Sequence, residues 1–493
     1  MAKSHTVFVC SKCGTQTPRW QGKCHECGAW GTLLEEAVPE RKLGGMSLNV
    51  GTASELISLS EVGNVQEPRF STGVADLDRV LGGGLVKGSL VLLGGPPGIG
   101  KSTLLVQAAS YVAQQGDEVL YISGEESPRQ IRMRAERLGV MKQSGSCSRI
   151  TLWSETALEN IENQLRGSQA KLVIVDSIQT IYRADLSPAP GSVTQVRECA
   201  AALMRLAKGC GITILLVGHI TKGGDIAGPR VLEHLVDTVL HFDSHGMHNV
   251  RVLRTLKNRF GNTNEVGFLA MDSEGLHPIP NASAFFLSQR ALGAPGTVVF
   301  PSMEGSRPVL VEIQVLVSDS YAAEQGVPPV RRSVGLDANK LSLLLAVIQK
   351  RCHNYSLGKS DVYANVAGGV RLLEPALDLP LSLALVSGRL GIEVSSELVA
   401  FGEVGLGGEI RAVSGCEARL IEAAKLGFKK AVMPLRSIDD SLRRTLKNNA
   451  LNIELVGVQT LAEALRYCGL GSVKRGGSSG KPSAGADPFA EYQ

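Results

Sequence analysis

The feature that most constrains the fold of this chain is a glycine-rich segment, Gly95-Pro-Pro-Gly-Ile-Gly-Lys-Ser102, that matches the pattern G-x-x-x-x-G-K-[ST] in full. An apolar run, Leu90–Gly94, precedes it and an amphipathic stretch follows it, so we expect it to join a buried strand to the start of a helix. In that setting the glycines let backbone N–H groups turn toward phosphate oxygens, and the helix N-terminus adds partial positive charge. The pattern therefore predicts a phosphate-binding loop.

The residues of this loop have distinct expected tasks. We expect Lys101 to reach the β- and γ-phosphates of a nucleotide and Ser102 to hold Mg²⁺. The sequence thus predicts ATP and Mg²⁺ as ligands. The residues expected to bind them are Gly95, Pro96, Pro97, Gly98, Ile99, Gly100, Lys101, Ser102 and Thr103.

Acidic side chains follow two other apolar runs. One run ends in Asp176, which suits the surroundings of the magnesium ion. The run Val119–Ser123 is followed by Glu125 and Glu126, and a carboxylate at that position can polarise the attacking water. We favour Glu125. His219, at the end of a further run, is either a γ-phosphate sensor or a structural histidine.

Four of the ten cysteines lie within the first 27 residues, as the pairs Cys10-x-x-Cys13 and Cys24-x-x-Cys27. Each pair can place two thiolates on one side of a tight turn, and together they can form a tetrahedral sulfur shell for Zn²⁺. A redox pair and an iron–sulfur site are the alternatives. With no open coordination position, we expect a structural zinc.

The rest of the chain separates into segments of different character. Between 67 and 281, short β-branched runs alternate with amphipathic stretches, which predicts an α/β fold with a doubly wound parallel sheet. The net charge of +4 does not point to a polyanionic partner, and no apolar run is long enough to span a membrane. We expect a cytoplasmic protein without a membrane partner. The expected segments are a zinc knuckle (1–32), a linker (33–66), an ATPase domain (67–281), a second mixed domain (282–470) and a disordered tail (471–493).

The order of these parts resembles the RecA-like ATPase fold over residues 67–281. Together with the cysteine knuckle and Lys257-Asn-Arg-Phe-Gly261, it identifies the chain as a member of the RadA (Sms) family of bacterial DNA repair proteins. From the residues alone, Lys257 and Arg259 are two cations of one strand face. The resemblance implies that they sense or complete the ATP site of a neighbouring subunit in a ring. Whether they act as a finger, a sensor or a DNA contact stays open.

The resemblance also implies a function on DNA. Loops after the Asp176 and His219 runs are expected to face the centre of a ring, which the resemblance implies is a hexamer, and to contact DNA through Arg183, Arg197, Lys222 and Arg230. Ordinary surface loops are the alternative. The expected function is a DNA-dependent ATPase and ring helicase or translocase that drives branch migration in recombinational repair. Its expected partners are single-stranded and branched DNA, a recombinase filament and further copies of the chain.

Residues 282–470 resemble the proteolytic domain of Lon-type proteases. In the register of that resemblance, Ala376 stands at the position of the serine nucleophile, and the lysine position falls at or near Glu417. A methyl group cannot attack a carbonyl, and a carboxylate cannot replace an activating lysine. We therefore expect no peptidase activity. An ATP-dependent Lon-like protease and a nucleotide-switched scaffold are the alternative functions.

Overall fold

The computed structural model describes residues 4–10, 15–39, 67–142, 147–219, 230–244, 249–288, 290–352 and 355–471. These residues form two compact units. The first contains the described residues up to Ser288 together with 303–309 and 368–371, and the second contains 290–302, 310–367 and 372–471. Within the described ranges, no helix has the length and apolar character that crossing a membrane requires. The expected tail lies outside the described residues, apart from Gly471.

The amino-terminal strands form a small antiparallel sheet. Its described strands are β1 (Ser4–Cys10), β2 (Gln16–Thr17) and β3 (Leu33–Pro39), in the order β2-β1-β3. β3 lies in the segment that the sequence analysis assigns to a linker, yet it pairs with β1 over seven residues, from Cys10 opposite Leu33 to Ser4 opposite Pro39. The pairing adds Leu33 to the buried side chains of Cys10 and Cys24, so the knuckle is completed by residues beyond position 32.

The remainder of the first unit alternates strands and helices. Its elements are β4 (Arg69–Phe70), α1 (Ala75–Val80), β5 (Leu85–Val86), β6 (Leu90–Gly95), α2 (Lys101–Gln114), β7 (Val119–Ser123), α3 (Pro128–Arg137), β8 (Ile150–Trp153), α4 (Leu158–Arg166), β9 (Leu172–Asp176), α5 (Val193–Cys210), β10 (Thr213–His219), α6 (Arg230–Leu235), β11 (Thr238–Ser244), β12 (Val250–Asn258), β13 (Val266–Asp272), β14 (Gly275–Pro278) and α7 (Ala282–Leu287).

Most of these strands belong to one sheet. Among the described residues it has nine strands in the order β14-β13-β12-β11-β6-β10-β9-β7-β8. The six from β11 to β8 are parallel, as expected, whereas β12, β13 and β14 extend the sheet antiparallel to their neighbours. The side chains of β6 and β9 are buried throughout, because apolar clusters cover both faces of the sheet. The carboxyl ends of β6, β7, β9 and β10 therefore meet at one edge.

The second unit is also built from strands and helices. Residues 303–309, which include the end of one of its strands and the start of the next, are grouped with the first unit. The elements from 297 onward are β15 (Thr297–Glu304), β16 (Arg307–Asp319), α8 (Tyr321–Glu324), β17 (Arg331–Val334), α9 (Ala338–Arg351), β18 (Ser360–Val366), α10 (Asp378–Leu390), β19 (Leu398–Ala400), β20 (Glu403–Val404), β21 (Ile410–Arg411), α11 (Cys416–Lys425), β22 (Lys430–Pro434), α12 (Asp440–Asn448), β23 (Glu454–Val458) and α13 (Leu461–Tyr467). Its described sheet has the strand order β17-β18-β16-β15-β19-β22-β23.

Candidate nucleotide-binding site

The glycine-rich loop lies at the carboxyl end of β6 and leads directly into α2. Gly95 packs so closely on β11 that an added Cβ would stand 2.4 Å from the carbonyl oxygen of Phe242. Gly98 and Gly100 have φ angles of 75° and 111°, which residues with side chains rarely adopt. An added Cβ at Gly98 would meet nothing within 4 Å. The loop thus has the conformation and the open outer side that a phosphate cradle requires.

The side chain of Lys101 turns back over this loop. Its ammonium donates hydrogen bonds to the carbonyl oxygens of Gly95 (2.8 Å) and Pro96 (3.0 Å), and the residue is only 4% exposed. Burial lowers the pKa of the Lys101 ammonium, and the charges of Asp176 and Glu125 oppose that shift. A cation held in this way against the loop is placed to meet phosphate oxygens.

Asp176, at the end of β9, is joined to the helix that carries the loop. Its Oδ2 accepts hydrogen bonds from the Ser102 hydroxyl (2.7 Å) and from the Tyr121 hydroxyl (2.8 Å). Burial raises the pKa of Asp176, and these two hydrogen bonds oppose the rise. The sequence analysis did not single out Tyr121, because nothing local to β7 marks its hydroxyl as the partner of a carboxylate 55 positions away.

The two glutamates that follow β7 have different partners in the structure. The Glu126 carboxylate forms a bidentate ion pair with Arg134, with distances of 2.5 and 2.6 Å. Glu125 instead accepts hydrogen bonds from the Ser177 hydroxyl and from His219 Nε2, the latter at 3.0 Å. Glu125 is therefore the glutamate that faces Lys101 and Asp176, whereas Glu126 is engaged with α3.

Two features of the backbone bring Glu125 to this place. The N–H of Gly124 donates to the carbonyl oxygen of Asp176 at 3.0 Å, so the end of β7 stays beside the end of β9. An added Cβ at Gly124 would stand 2.3 Å from the Thr180 hydroxyl, which leaves no room for a side chain. The sequence analysis noted neither Gly124 nor Ser177, and their only local signal is their adjacency to Glu125 and Asp176.

His219 connects the lysine and the glutamate. Its Nδ1 lies 3.3 Å from the Lys101 ammonium, and its Nε2 lies 3.0 Å from Glu125. Since an ammonium can only donate, Nδ1 accepts, and Nε2 carries the proton that is donated to Glu125. This hydrogen bond is the main cause of the lowered pKa of the Glu125 carboxyl, to which the Ser177 hydrogen bond adds.

These residues fit a magnesium-bound nucleoside triphosphate. The loop amides and Lys101 can hold phosphate oxygens, and the paired oxygens of Ser102 and Asp176 are donors of the kind that Mg²⁺ prefers. ATP and Mg²⁺ are thus the ligands of this site.

Three of the four predicted zinc ligands converge in the amino-terminal sheet. The Sγ atoms of Cys10, Cys24 and Cys27 all lie within 4.8 Å of one another, and Cys10 and Cys24 are 0% and 1% exposed. Cys13 lies outside the described residues. Two buried thiols and the partly buried thiol of Cys27, which meet without forming a disulfide, fit a Zn²⁺ ion that would cross-link the knuckle.

Comparison with known proteins places these features in a family. The chain is 46% identical over 469 residues to the DNA repair protein RadA of Bacillus subtilis (strain 168), which covers 94% of this chain and 99% of that one. It is 47% identical over 444 residues to the RadA of Brucella abortus (strain 2308), covering 88% and 92%. The chain belongs to the RadA family of DNA repair proteins.

Three family models match separate parts of this RadA-family chain. The KaiC ATPase family matches residues 70–269, the rubredoxin metal-binding domain matches 8–35, and subunit ChlI of Mg-chelatase matches 344–437. Among solved structures, the RadB recombinase is similar over 42% of this chain and 99% of its own, with 24% identity and a TM-score of 0.35. The three family matches, together with the strand order given above, show an α/β fold that combines an amino-terminal zinc ribbon, a RecA-like ATPase and a Lon-like carboxyl-terminal part.

The two cations of the RadA-family pentapeptide lie beside the amino-terminal ends of β6 and β11, whereas the phosphate loop follows the carboxyl end of β6. The Lys257 ammonium donates a hydrogen bond to the backbone of α6. Arg259 lies 3.5 Å from the carboxylate of Asp237, and that carboxylate accepts a hydrogen bond from the N–H of Leu90 at the start of β6. The loop begins at the other end of β6, five residues further on, which is about 16 Å along a strand. Neither cation is placed to reach the phosphate loop of its own subunit.

The predicted DNA contacts are described only in part. Arg183 forms an ion pair with Asp185 at 2.8 Å, and Arg197, on α5, pairs with Glu198 at 3.1 Å. Arg230 is the first residue of α6, and its side chain lies outside the description, as does all of Lys222. Arg183 and Arg197 are thus each paired with an acidic residue close by in the chain.

The second unit buries an arginine two residues after Glu417, near which the Lon-like register expects a lysine. Ala376 is buried in the turn that precedes α10, as that register requires, but Glu417 is exposed on α11. The residue of α11 that faces the turn is Arg419, which is 1% exposed and pairs with Glu374. Glu417 and Arg419 are two residues apart, about 200° around the helix, so one side chain faces solvent while the other faces the sheet. The assignment of the lysine position at or near Glu417 stays a prediction.

Proposed function

We propose that this chain is a DNA-dependent ATPase and ring helicase or translocase that acts in recombinational DNA repair, where it promotes branch migration. One observation carries the proposal. The phosphate loop, Asp176 and Glu125 meet at one edge of the sheet, whereas Lys257 and Arg259 are held at the other. Such a subunit has a nucleotide site at one end and the cations that complete a site at the other.

Hydrolysis of ATP is the chemistry that the site supports. When bound, Mg²⁺ neutralises charge on the phosphates. Ser102 and Asp176 would hold it, Lys101 would bind phosphate oxygens, and Glu125 would orient the attacking water and accept its proton. The lowered pKa of Glu125 makes it a weak base while His219 donates to it. Release of that hydrogen bond would strengthen the base.

The two-ended arrangement predicts that ATP is hydrolysed between subunits. Arg259 of one subunit would stabilise charge that develops on the γ-phosphate bound to the next, as an arginine supplied in trans does. A closed ring of such contacts, which we propose to be a hexamer, gives every subunit one complete site.

DNA would pass through this ring. We propose contacts from Arg183, Arg197, Lys222 and Arg230 to single-stranded and branched DNA, with a recombinase filament as a further partner. Repeated around a ring, a few cations per subunit are enough to neutralise several phosphates. In this proposal the chain works as a knuckle (1–32, extended by β3), a linker, an ATPase domain (67–281), an inactive Lon-like domain (282–470) and a tail.

The decisive experiment measures three activities of the full-length protein. ATP hydrolysis is recorded with and without single-stranded DNA, followed by unwinding of a labelled fork and degradation of casein. The proposal expects DNA to stimulate hydrolysis, the fork to be unwound and casein to remain intact. DNA-independent turnover without strand displacement would favour a nucleotide-switched scaffold instead, and ATP-dependent loss of casein would favour a protease.

Mixing two inactive variants tests hydrolysis between subunits. Lys101→Ala removes the phosphate contact but keeps Arg259, and Arg259→Ala does the reverse. In randomly mixed rings, half of the subunits keep the loop and half of those face an intact arginine, so about a quarter of the wild-type rate should return. Mixtures as inactive as their components would refute catalysis in trans.

A further inference from the structure

One oxygen of the Asp176 carboxylate takes both of the hydrogen bonds that the described residues donate to this side chain. Oδ2 accepts from the Ser102 hydroxyl at 2.7 Å and from the Tyr121 hydroxyl at 2.8 Å. A carboxylate oxygen has two lone pairs, so these donors use the full capacity of Oδ2. Oδ1 accepts no hydrogen bond from the described part of the chain. It is therefore the oxygen of Asp176 that is left for a ligand.

The two donors reach Asp176 from different places. Ser102 is the second residue of α2, directly after the phosphate loop, and is expected to hold Mg²⁺ through its own oxygen. Tyr121 lies on β7, in the interior of the sheet, and is only 1% exposed. Ser102 therefore serves the ion directly, whereas Tyr121 contacts the carboxylate from within the protein.

The core fixes the ring of Tyr121. Tyr121 pairs with Ile174 of β9, and its side chain belongs to the same apolar cluster as Ile174 and Ile131 of α3. Ile174 and Asp176 are two residues apart on one strand, so their side chains share the face of the sheet that carries Tyr121. Side chains packed in a core keep one rotamer, and the hydroxyl of Tyr121 therefore has a fixed position beside the end of β9.

Tyr121 is also a donor that leaves the charge of Asp176 in place. A phenol is neutral, so its hydrogen bond orients the carboxylate without cancelling the negative charge that attracts Mg²⁺. Arg134 of α3 is a cation whose charge interacts with both Tyr121 and Asp176. Its guanidinium is paired with the two carboxylate oxygens of Glu126 instead. Asp176 thus has a neutral partner in the core and keeps its charge for the site.

We propose that Tyr121 is a positioning residue for the magnesium ion: its hydroxyl holds Oδ2 of Asp176 and thereby leaves Oδ1 to face the ion that Ser102 binds. The role given to Asp176 rests on the proposed function. Groups that orient the ligands of a metal in this way contribute about 10–100-fold to its affinity. Loss of the Tyr121 hydroxyl should therefore weaken the hold on Mg²⁺ and leave the phosphate loop unchanged.

The test is a titration of the full-length protein with mant-AMPPNP, a fluorescent ATP analogue that is not hydrolysed, in the absence of DNA. Each protein is titrated once with Mg²⁺ and once with EDTA. The dissociation constant in EDTA divided by that in Mg²⁺ measures how much the ion tightens nucleotide binding. Tyr121→Phe keeps the ring and removes the donor. It should lower this ratio about tenfold, with the dissociation constant in EDTA within about twofold of wild type.

Two further variants locate the effect. The matched control Tyr111→Phe removes the same hydroxyl from α2, beside Gly73, and should leave the ratio within about twofold of wild type. Asp176→Asn removes the charge through which Tyr121 is proposed to act, so it should lower the ratio by itself. Adding Tyr121→Phe to Asp176→Asn should then lower the ratio by less than about twofold more.

Three results would overturn the proposal. An unchanged ratio in Tyr121→Phe would mean that the hydroxyl serves only the stability of the fold. An equal loss of affinity with Mg²⁺ and with EDTA would mean that it acts on the phosphate loop rather than on the ion. A further tenfold loss in the Asp176→Asn background would mean that Tyr121 acts independently of that carboxylate.

The same titration separates this inference from the proposed function. If wild-type protein binds the analogue equally tightly with Mg²⁺ and with EDTA, the assignment of Mg²⁺ to Ser102 and Asp176 is wrong, and the role of Tyr121 is wrong as well. If Mg²⁺ tightens binding to the same extent in wild type and in Tyr121→Phe, only the role of Tyr121 is wrong. The measurement uses no DNA and no hydrolysis, so it does not depend on whether the protein unwinds DNA.

Discussion

Replacing Arg419 in the second unit tests whether its ion pair with Glu374 stabilises the fold. Its guanidinium contacts both carboxylate oxygens of Glu374, at 3.3 and 2.5 Å, and donates to the carbonyl oxygens of Ser414 (3.1 Å) and Pro301. Arg419→Met keeps the apolar stem and removes all of these donors. The Glu374 carboxylate would then lie partly buried without its cation.

The size of the effect follows from the burial of both partners. Removing one member of a buried ion pair costs about 3–5 kcal/mol, because the other charge is left uncompensated. Glu374 keeps 20% of its side chain exposed and a hydrogen bond from Ser302 at 2.8 Å, so we expect the lower end, about 3 kcal/mol. For a unit of this size, that loss lowers Tm by about 6–12 °C.

Differential scanning calorimetry of the full-length protein measures the shift. The matched control is Arg411→Met, an exposed arginine paired with Glu409, which should leave Tm close to that of wild type because exposed ion pairs contribute little to stability. Adding Glu374→Gln to Arg419→Met removes the stranded charge and should recover part of the loss. If Arg419→Met melts within about 2 °C of wild type, or the double variant is no more stable than the single one, the ion pair does not have this role.

Three further predictions concern the first unit. Glu125→Gln should lower kcat for ATP about 10²–10⁴-fold because the carboxylate that faces the site is lost, whereas Glu126→Gln should lower it far less because that carboxylate is paired with Arg134 of α3 instead; equal effects would show that the wrong glutamate was chosen. A chelator should release one Zn²⁺ per chain and make residues 4–39 protease-sensitive while the ATPase unit keeps its thermal transition, because so small a sheet buries too little to fold alone; an unchanged digestion pattern would contradict this. Gly124→Ala should reduce hydrolysis with little change in nucleotide affinity, because its Cβ would collide with Thr180 and push Glu125 away; wild-type turnover would show that the strand end tolerates the shift.

The parts of the site that could be predicted are those whose residues all lie within one short segment of the chain. The phosphate loop needs glycines at fixed spacing between a strand and a helix, and each strand that ends in an acid can be recognised from its own residues. Asp176 and Glu125 were found in this way. Adjacent residues carry the same local signal, and only the structure shows that Glu126 pairs with Arg134. The preference for Glu125 as the residue that acts on water stays a prediction.

The contacts that join the residues of the site could not be predicted, even where a residue such as His219 had been singled out. His219 is 118 positions from Lys101 and 94 from Glu125, and Tyr121 is 55 from Asp176. Such contacts depend on which strands are neighbours in the sheet. The residue pattern of a single strand does not predict that order. β3 was not predicted for the same reason. Its pairing with β1 is a contact between distant segments, and the composition of residues 33–39 does not indicate it.

The sequence by itself determined the family, the ligands and the chemistry, because phosphate, metal and thiolate chemistry demand particular residues at close spacing. Only the tertiary structure decided which side chains act together. It turned Arg419 rather than Glu417 toward Glu374, and it placed Arg259 at the opposite edge of the sheet from Lys101. The physical reason is that a side chain's direction depends on the packing of elements that are distant in the chain, and this packing is settled only when the whole core forms.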